Sequence, residues 1–147
     1  MKIKSILLAF VLAATGVFAM HTQAQQVGYR VIVHPDNPTT ALSAKDVSSY
    51  LLKRKSRWEH GVTVNPIDLG PDSEVRKAFS KDVHGRSVSS IKSYWQRQIF
   101  SGREVPPPEV TSDAEVIAHV KSNPGAIGYV SASARLDGVK VLDLSSE

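Results

Sequence analysis

Apolar residues fall into short runs whose spacing switches between the period of a strand and that of a helix. Tyr29 to His34 (YRVIVH) is a β-branched run halted by Pro35-Asp36-Asn37-Pro38. It predicts a buried strand entering a turn. Ser43 offers an N-cap, and Val47, Tyr50 and Leu51 follow at helical spacing, so a helix is predicted from Ala44 to about Lys53. Lys53-Arg54-Lys55-Ser56-Arg57 ends it with cations where the helix dipole favours them; this run reads as a solvated helix end. Val62 to Leu69 alternates imperfectly around Pro66 and predicts an irregular or edge strand.

Gly70-Pro71-Asp72-Ser73 reads as a turn and a helix start, with Val75, Ala78, Phe79 and Val83 as the buried face and His84-Gly85 as the stop. Ser87 caps a further helix whose inner face is Val88, Ile91, Trp95 and Ile99, ended by Ser101-Gly102. Arg103 to Val110, with three consecutive prolines, is expected to be an extended connector. Ser112 and Glu115 form a capping box for a helix that buries Val116, Ile117 and Val120 and stops at Asn123-Pro124-Gly125. Ala126 to Val130 predicts a strand, and Val139 to Leu144 another. Strands separated by helices imply right-handed crossovers, so the expected fold is an α/β sandwich with a mainly parallel sheet flanked by helices.

The first residues follow a different logic. Lys2 and Lys4 precede an unbroken apolar run, Ile6 to Ala14, and small residues follow. This is the layout of a secretory signal peptide, predicted to occupy residues 1–24. Cleavage after Ala24 starts the mature chain at the polar pair Gln25-Gln26 and is favoured over cleavage after Ala19. The run Ile6 to Met20 is short for a membrane span, which needs ~20 apolar residues. The expected location is therefore periplasmic or secreted, with no membrane span in the mature chain. Residues 25–147 are long enough for a single domain.

Charge changes little in this picture. The chain has 18 basic and 14 acidic side chains, and losing Lys2 and Lys4 leaves 16 against 14. That balance does not suggest a nucleic-acid partner. The chain has no cysteine, which removes disulfides, thiol catalysis and cysteine metal sites together. The histidines, His21, His34, His60, His84 and His119, show no ligand-like spacing, and no serine sits in a nucleophile elbow. No metal, cofactor or catalytic residue is expected. His34, at a strand end beside Pro35-Asp36, is the best-placed histidine for a ligand contact.

Several stretches, in order and spacing, resemble the phosphate-type substrate-binding proteins of ABC transporters. They are Ala41 to Val47, Trp58-Glu59-His60-Gly61, Asp72 to Phe79, Tyr94-Trp95, Phe100-Ser101-Gly102, Pro107-Pro108 and Asn123 to Val130. The resemblance implies a periplasmic-binding-protein-like lobe, a non-catalytic protein, and a small anion such as phosphate as ligand. It also implies an ABC permease or another envelope protein as partner. Members of the family usually have two lobes, and this chain matches about one. In the phosphate binders an arginine precedes a serine-glycine-threonine helix start, and both hold the anion. Here only Ser73 fits that pattern, with Asp72, Glu74, Val75 and Arg76 around it.

A helix start attracts anions through free N–H groups and its dipole. Asp72 and Glu74 bring negative charge to the same place and are expected to cap the helix themselves, while Arg76 is expected to reach solvent or pair with Asp72. The candidate ligand site is thus Asp72, Ser73, Glu74, Val75 and Arg76, helped by the strand end at His34 and Asn37. The second reading is an exported protein–protein interaction module on the same scaffold, its anion site lost.

Overall fold

The computed structural model describes residues 27–145. The predicted signal peptide and its cleavage points lie outside the described residues.

The apolar run after Gly28 forms β1 (Tyr29–Val33), and Ala41–Ser43 forms a short β2. Ser43 caps α1 (Ala44–Leu51), its Oγ accepting from the Asp46 amide at 3.1 Å. Pro66 and the irregular alternation around it divide the expected Val62–Leu69 strand in two: β3 (Asn65–Pro66) and β4 (Asp68–Leu69). Ser73 caps α2 (Glu74–Phe79), which continues as a wider π-helical turn over Ser80–His84. Gly85 stops that turn in the left-handed region, with φ 63°. Ser87 caps α3 (Val88–Phe100), and the proline connector ends in β5 (Glu109–Val110). Ser112 caps α4 (Asp113–Ser122); its Oγ donates to Glu115 at 2.9 Å, and the same carboxylate takes the Thr111 amide. β6 (Ala126–Ser131) and β7 (Lys140–Ser145) follow.

The main sheet has the order β2-β7-β1-β6-β3. It is mixed, not mainly parallel. β1 pairs antiparallel with both β6 and β7, whereas β2–β7 and β3–β6 are parallel. The crossover expectation fails because β1 has as neighbours the two last strands of the chain, which return to it from the opposite direction. β4 and β5 form a separate parallel pair.

Helices cover both faces. A Cβ on Gly128 would lie 2.8 Å from both Val116 Cγ1 and Ile67 Cγ2, so α4 presses directly on β6 there. On the other face, the next residue, Tyr129, stacks its ring on Phe79 of α2 at 3.7 Å between centroids. The core between these layers contains Val31, Ile32, Val33, Phe79, Val116, Val120 and Ile127.

α3 stands apart, sharing a small cluster of Leu52, Ile91 and Trp95. Ile99, expected on its inner face, is exposed instead. The Trp58 loop is fastened to the start of β6: Trp58 Nε1 and the Asn65 amide each donate to the Gly125 carbonyl at 2.9 Å. Gly125 approaches so closely that a Cβ there would sit 1.9 Å from the Thr63 carbonyl oxygen.

Candidate functional site

The turn before α2 is open to solvent. Asp72 and Glu74 are exposed, and Ser73 is half-buried. Ser73 Oγ accepts from the Arg76 amide at 3.2 Å, the ordinary N-cap bond. Capping is thus done by the serine, not by the two acids as expected. Glu74 turns along the helix to pair with Lys77 at 2.6 Å, and this hydrogen bond holds the Lys77 ammonium above its usual range. Among the described residues, the amides of Glu74 and Val75 donate to no group of the chain. Such first-turn amides are the free donors of a helix.

Arg76 lies elsewhere than the sequence suggested. It points inward, 3 % exposed, rather than into solvent or toward Asp72. Its guanidinium lies 3.1 Å from Asp68 and 3.3 Å from Glu109, and it also donates to the Leu69 carbonyl. Its Nε has no hydrogen-bond partner. Asp68 also accepts from the Tyr129 hydroxyl and, at 3.0 Å, from the Leu69 amide.

Burial pushes the Asp68 carboxyl up to about 6, against the opposing pull of the Arg76 charge and the Tyr129 hydrogen bond. Burial, together with the Asp68 charge, likewise raises Tyr129, which stays a phenol. Asp68, Glu109 and Tyr129 were not singled out from sequence. The signal available was an acid inside an apolar, strand-like stretch, which in a folded chain calls for a cation.

His34 and Asn37 do not join this site. Val33 pairs with Ile127, and β3 begins beside Ala126, so His34 and the start of β3 share one end of the sheet. From there the chain runs through Asp68 alongside Tyr129 to the other end, where Phe79 also meets Tyr29. The turn at Ser73 therefore lies at the far end from His34. His34 Nδ1 accepts from the Asp36 amide at 3.1 Å, and the Asn37 amide donates to the His34 carbonyl. Asn37 is buried; its Oδ1 accepts from the Thr39 amide, and its carbonyl from Lys140. Both residues hold the turn after β1 together.

A half-buried polar pair joins α1 to the π-helical turn: Ser48 Oγ lies 2.8 Å from His84 Nδ1. Burial, then the nearby charges of Arg76, Arg54 and Arg86, push His84 down to about 4, so its ring is neutral near pH 7.

No family model matches the chain, and no curated protein matches it. Solved structures do. An ABC-type phosphate transport receptor from Vibrio cholerae superposes with a TM-score of 0.62 at 17 % identity, over 79 % of this chain and 45 % of that one. PstS from Borrelia burgdorferi gives 0.57 at 20 % identity, over 82 % of this chain and 48 % of that one. A third structure, from Clostridium perfringens, holds bound phosphate and gives 0.63 at 20 % identity, over 79 % and 44 %. The chain spans less than half the length of these proteins and matches them over a single lobe. At this identity the likeness is one of fold.

Proposed function

We propose, from a fold shared with one lobe of phosphate ABC transporter substrate-binding proteins, that this chain is an exported, non-catalytic solute-binding module of that kind. Its ligand in this reading is a small oxyanion such as phosphate, taken at the turn from Asp72 to Arg76. The working location is periplasmic or secreted, and the partner an ABC permease or another envelope protein. The observation that carries the reading is the pair of free amides, Glu74 and Val75, beside Ser73 on an exposed helix start. An isolated lobe meets an anion from one side, so binding is weak unless a second surface excludes water.

One observation favours the second reading, an interaction module with the anion site lost. The nearest guanidinium, Arg76, is already held by Asp68 and Glu109, while Asp72 and Glu74 repel an incoming anion. Thermal unfolding measured with added phosphate or sulfate separates the two. A specific oxyanion at a hundredfold excess over its Kd stabilises the fold by about 2.7 kcal/mol. Under the oxyanion reading, the double variant Asp72→Asn, Glu74→Gln responds at lower phosphate concentration, most clearly at low ionic strength. No shift at millimolar levels for either protein discards the oxyanion and leaves the interaction module.

A further inference from the structure

The most exposed large apolar side chains of the described chain gather at one corner. Phe100 is 91 % exposed, Val105 58 % and Ile99 51 %. They sit where α3 ends and the proline connector begins. The end of α3 is a closed cap: the Gly102 amide donates to the Ile99 carbonyl and the Arg103 amide to the Gln98 carbonyl, each at 3.0 Å. This cap fixes the backbone from which the Phe100 ring projects. Single exposed apolar residues are ordinary; a cluster around a fully projecting phenyl ring is not.

The free charge around this corner is mainly positive. Glu104 is taken by Lys53 and Glu109 by Arg76, both at 3.3 Å. Lys92, Arg97 and Arg103 are exposed and form no ion pair among the described residues. Arg97 stands one helical turn before Phe100. Lys92 lines the same recess as Ile99, and Arg103 belongs to the cap. The recess also reaches Pro71, whose neighbour Asp72 is exposed, so three free cations stand against one free acid.

We propose that this corner docks on an anionic lipid surface. Phe100, with Ile99 and Val105, enters the apolar layer, while Lys92, Arg97 and Arg103 meet the lipid phosphates. The shared positive sign opposes a second copy of the same patch. Two properties select lipid over an acidic protein. A projecting ring needs no matching pocket in a fluid apolar phase, whereas a protein would have to supply one. Lys and Arg can also lay their aliphatic stems beside the ring and keep their charges at the level of the phosphates. Binding then draws on apolar area and on attraction to headgroups together. The contact is peripheral, since no described helix is long and apolar enough to cross a membrane.

The test uses the full chain with vesicles of phosphatidylcholine, alone or mixed with phosphatidylglycerol. Phe100→Trp reports on the corner itself: its emission, in excess of that from Trp58 and Trp95, is quenched by brominated lipid only where position 100 enters the bilayer. Lipid contacts made by residues 1–24 do not produce that signal. Because Phe100 is exposed, the substitution leaves the fold intact, which far-ultraviolet circular dichroism verifies. Quenching is expected on the mixed vesicles and should weaken as salt is added. At about fivefold per cation, phosphatidylcholine alone should require on the order of 100-fold more lipid. Adding Arg97→Glu and Arg103→Glu should raise the requirement on mixed vesicles by at least about 25-fold. An emission that brominated lipid leaves unchanged overturns the proposal and leaves an acidic protein as the occupant. Quenching that is equal on neutral vesicles, or that survives the two charge reversals, overturns it too. Phosphate titration reports on the Ser73 turn, so either idea can fail without the other.

Discussion

The segment from Asp68 to Phe79 has two sides that use the same kinds of residue to opposite ends. Facing solvent, Asp72 and Glu74 flank a serine cap and free amides. Facing inward, Asp68 and Glu109 close on Arg76, and Tyr129 donates to Asp68. Outside, water screens every charge, and each contact contributes little. Inside, desolvation sets the terms: Asp68, Arg76 and Tyr129 hold one another in place because none of the three can return to water without unfolding, while Glu109 reaches Arg76 from the exposed rim. The chain has thus used both cations of α2, Arg76 and Lys77, on its own carboxylates, and an incoming anion meets mainly backbone donors.

Breaking the inner side has the largest expected effect. Arg76→Leu leaves Asp68 buried without its cation and should destabilise by about 3–5 kcal/mol, read from urea unfolding. The double variant with Asp68→Asn should recover part of that loss, since the stranded charge is gone. Equal losses in the single and double variants would show that Arg76 matters through its packing alone.

Next in size are two titrations that oppose each other. Asp68, at about 6 in the folded state against 3.8 unfolded, binds its proton more tightly when folded. Its contribution is fully present below pH 3.8 and is lost as pH rises through 6. His84, at about 4 against 6.5, binds its proton more tightly when unfolded. Its contribution is present above pH 6.5 and is lost as pH falls through 4. Each effect is on the order of 3 kcal/mol, and they nearly cancel between pH 4 and 6. The wild type should therefore show a shallow profile there. His84→Asn should fall in stability as pH rises through the window, and Asp68→Asn should climb. Parallel profiles for the two variants would refute the assignment.

The outer side gives the smallest effect. Ser73→Ala removes one cap bond and should cost about 1 kcal/mol, with the inner network and its pH profile untouched. A larger loss would mean that the exposed turn is tied to the buried network more closely than its contacts indicate.

What could be read from the sequence was whatever depends on neighbours in the chain. Ser43, Ser73, Ser87 and Ser112 all cap helices, each bonding an amide three residues on. Gly85 ends the π-helical turn as its position suggested. Sheet direction was not legible, because pairing between Val33 and Ile127 is decided by the whole intervening chain. Ile99 has the right period for an inner face, yet period states only which residues share a side. Whether that side is covered depends on a partner, and the Leu52, Ile91 and Trp95 cluster stops short of the last turn. Arg76 was misjudged for the same reason: its partners sit on β4 and β5, outside its helix.

The shared carbonyl of Gly125 also bears on the order in which the protein is secured. Trp58 reaches it across 67 positions, so the loop around Trp58, whose ring packs on Tyr50 of α1, is hydrogen-bonded to the start of β6 only once the chain beyond α4 has been made and placed. Until that clasp closes, the stretch between α1 and β3 is the natural entry point for a protease; a bulkier residue at position 125 would leave the gate standing open in the finished molecule.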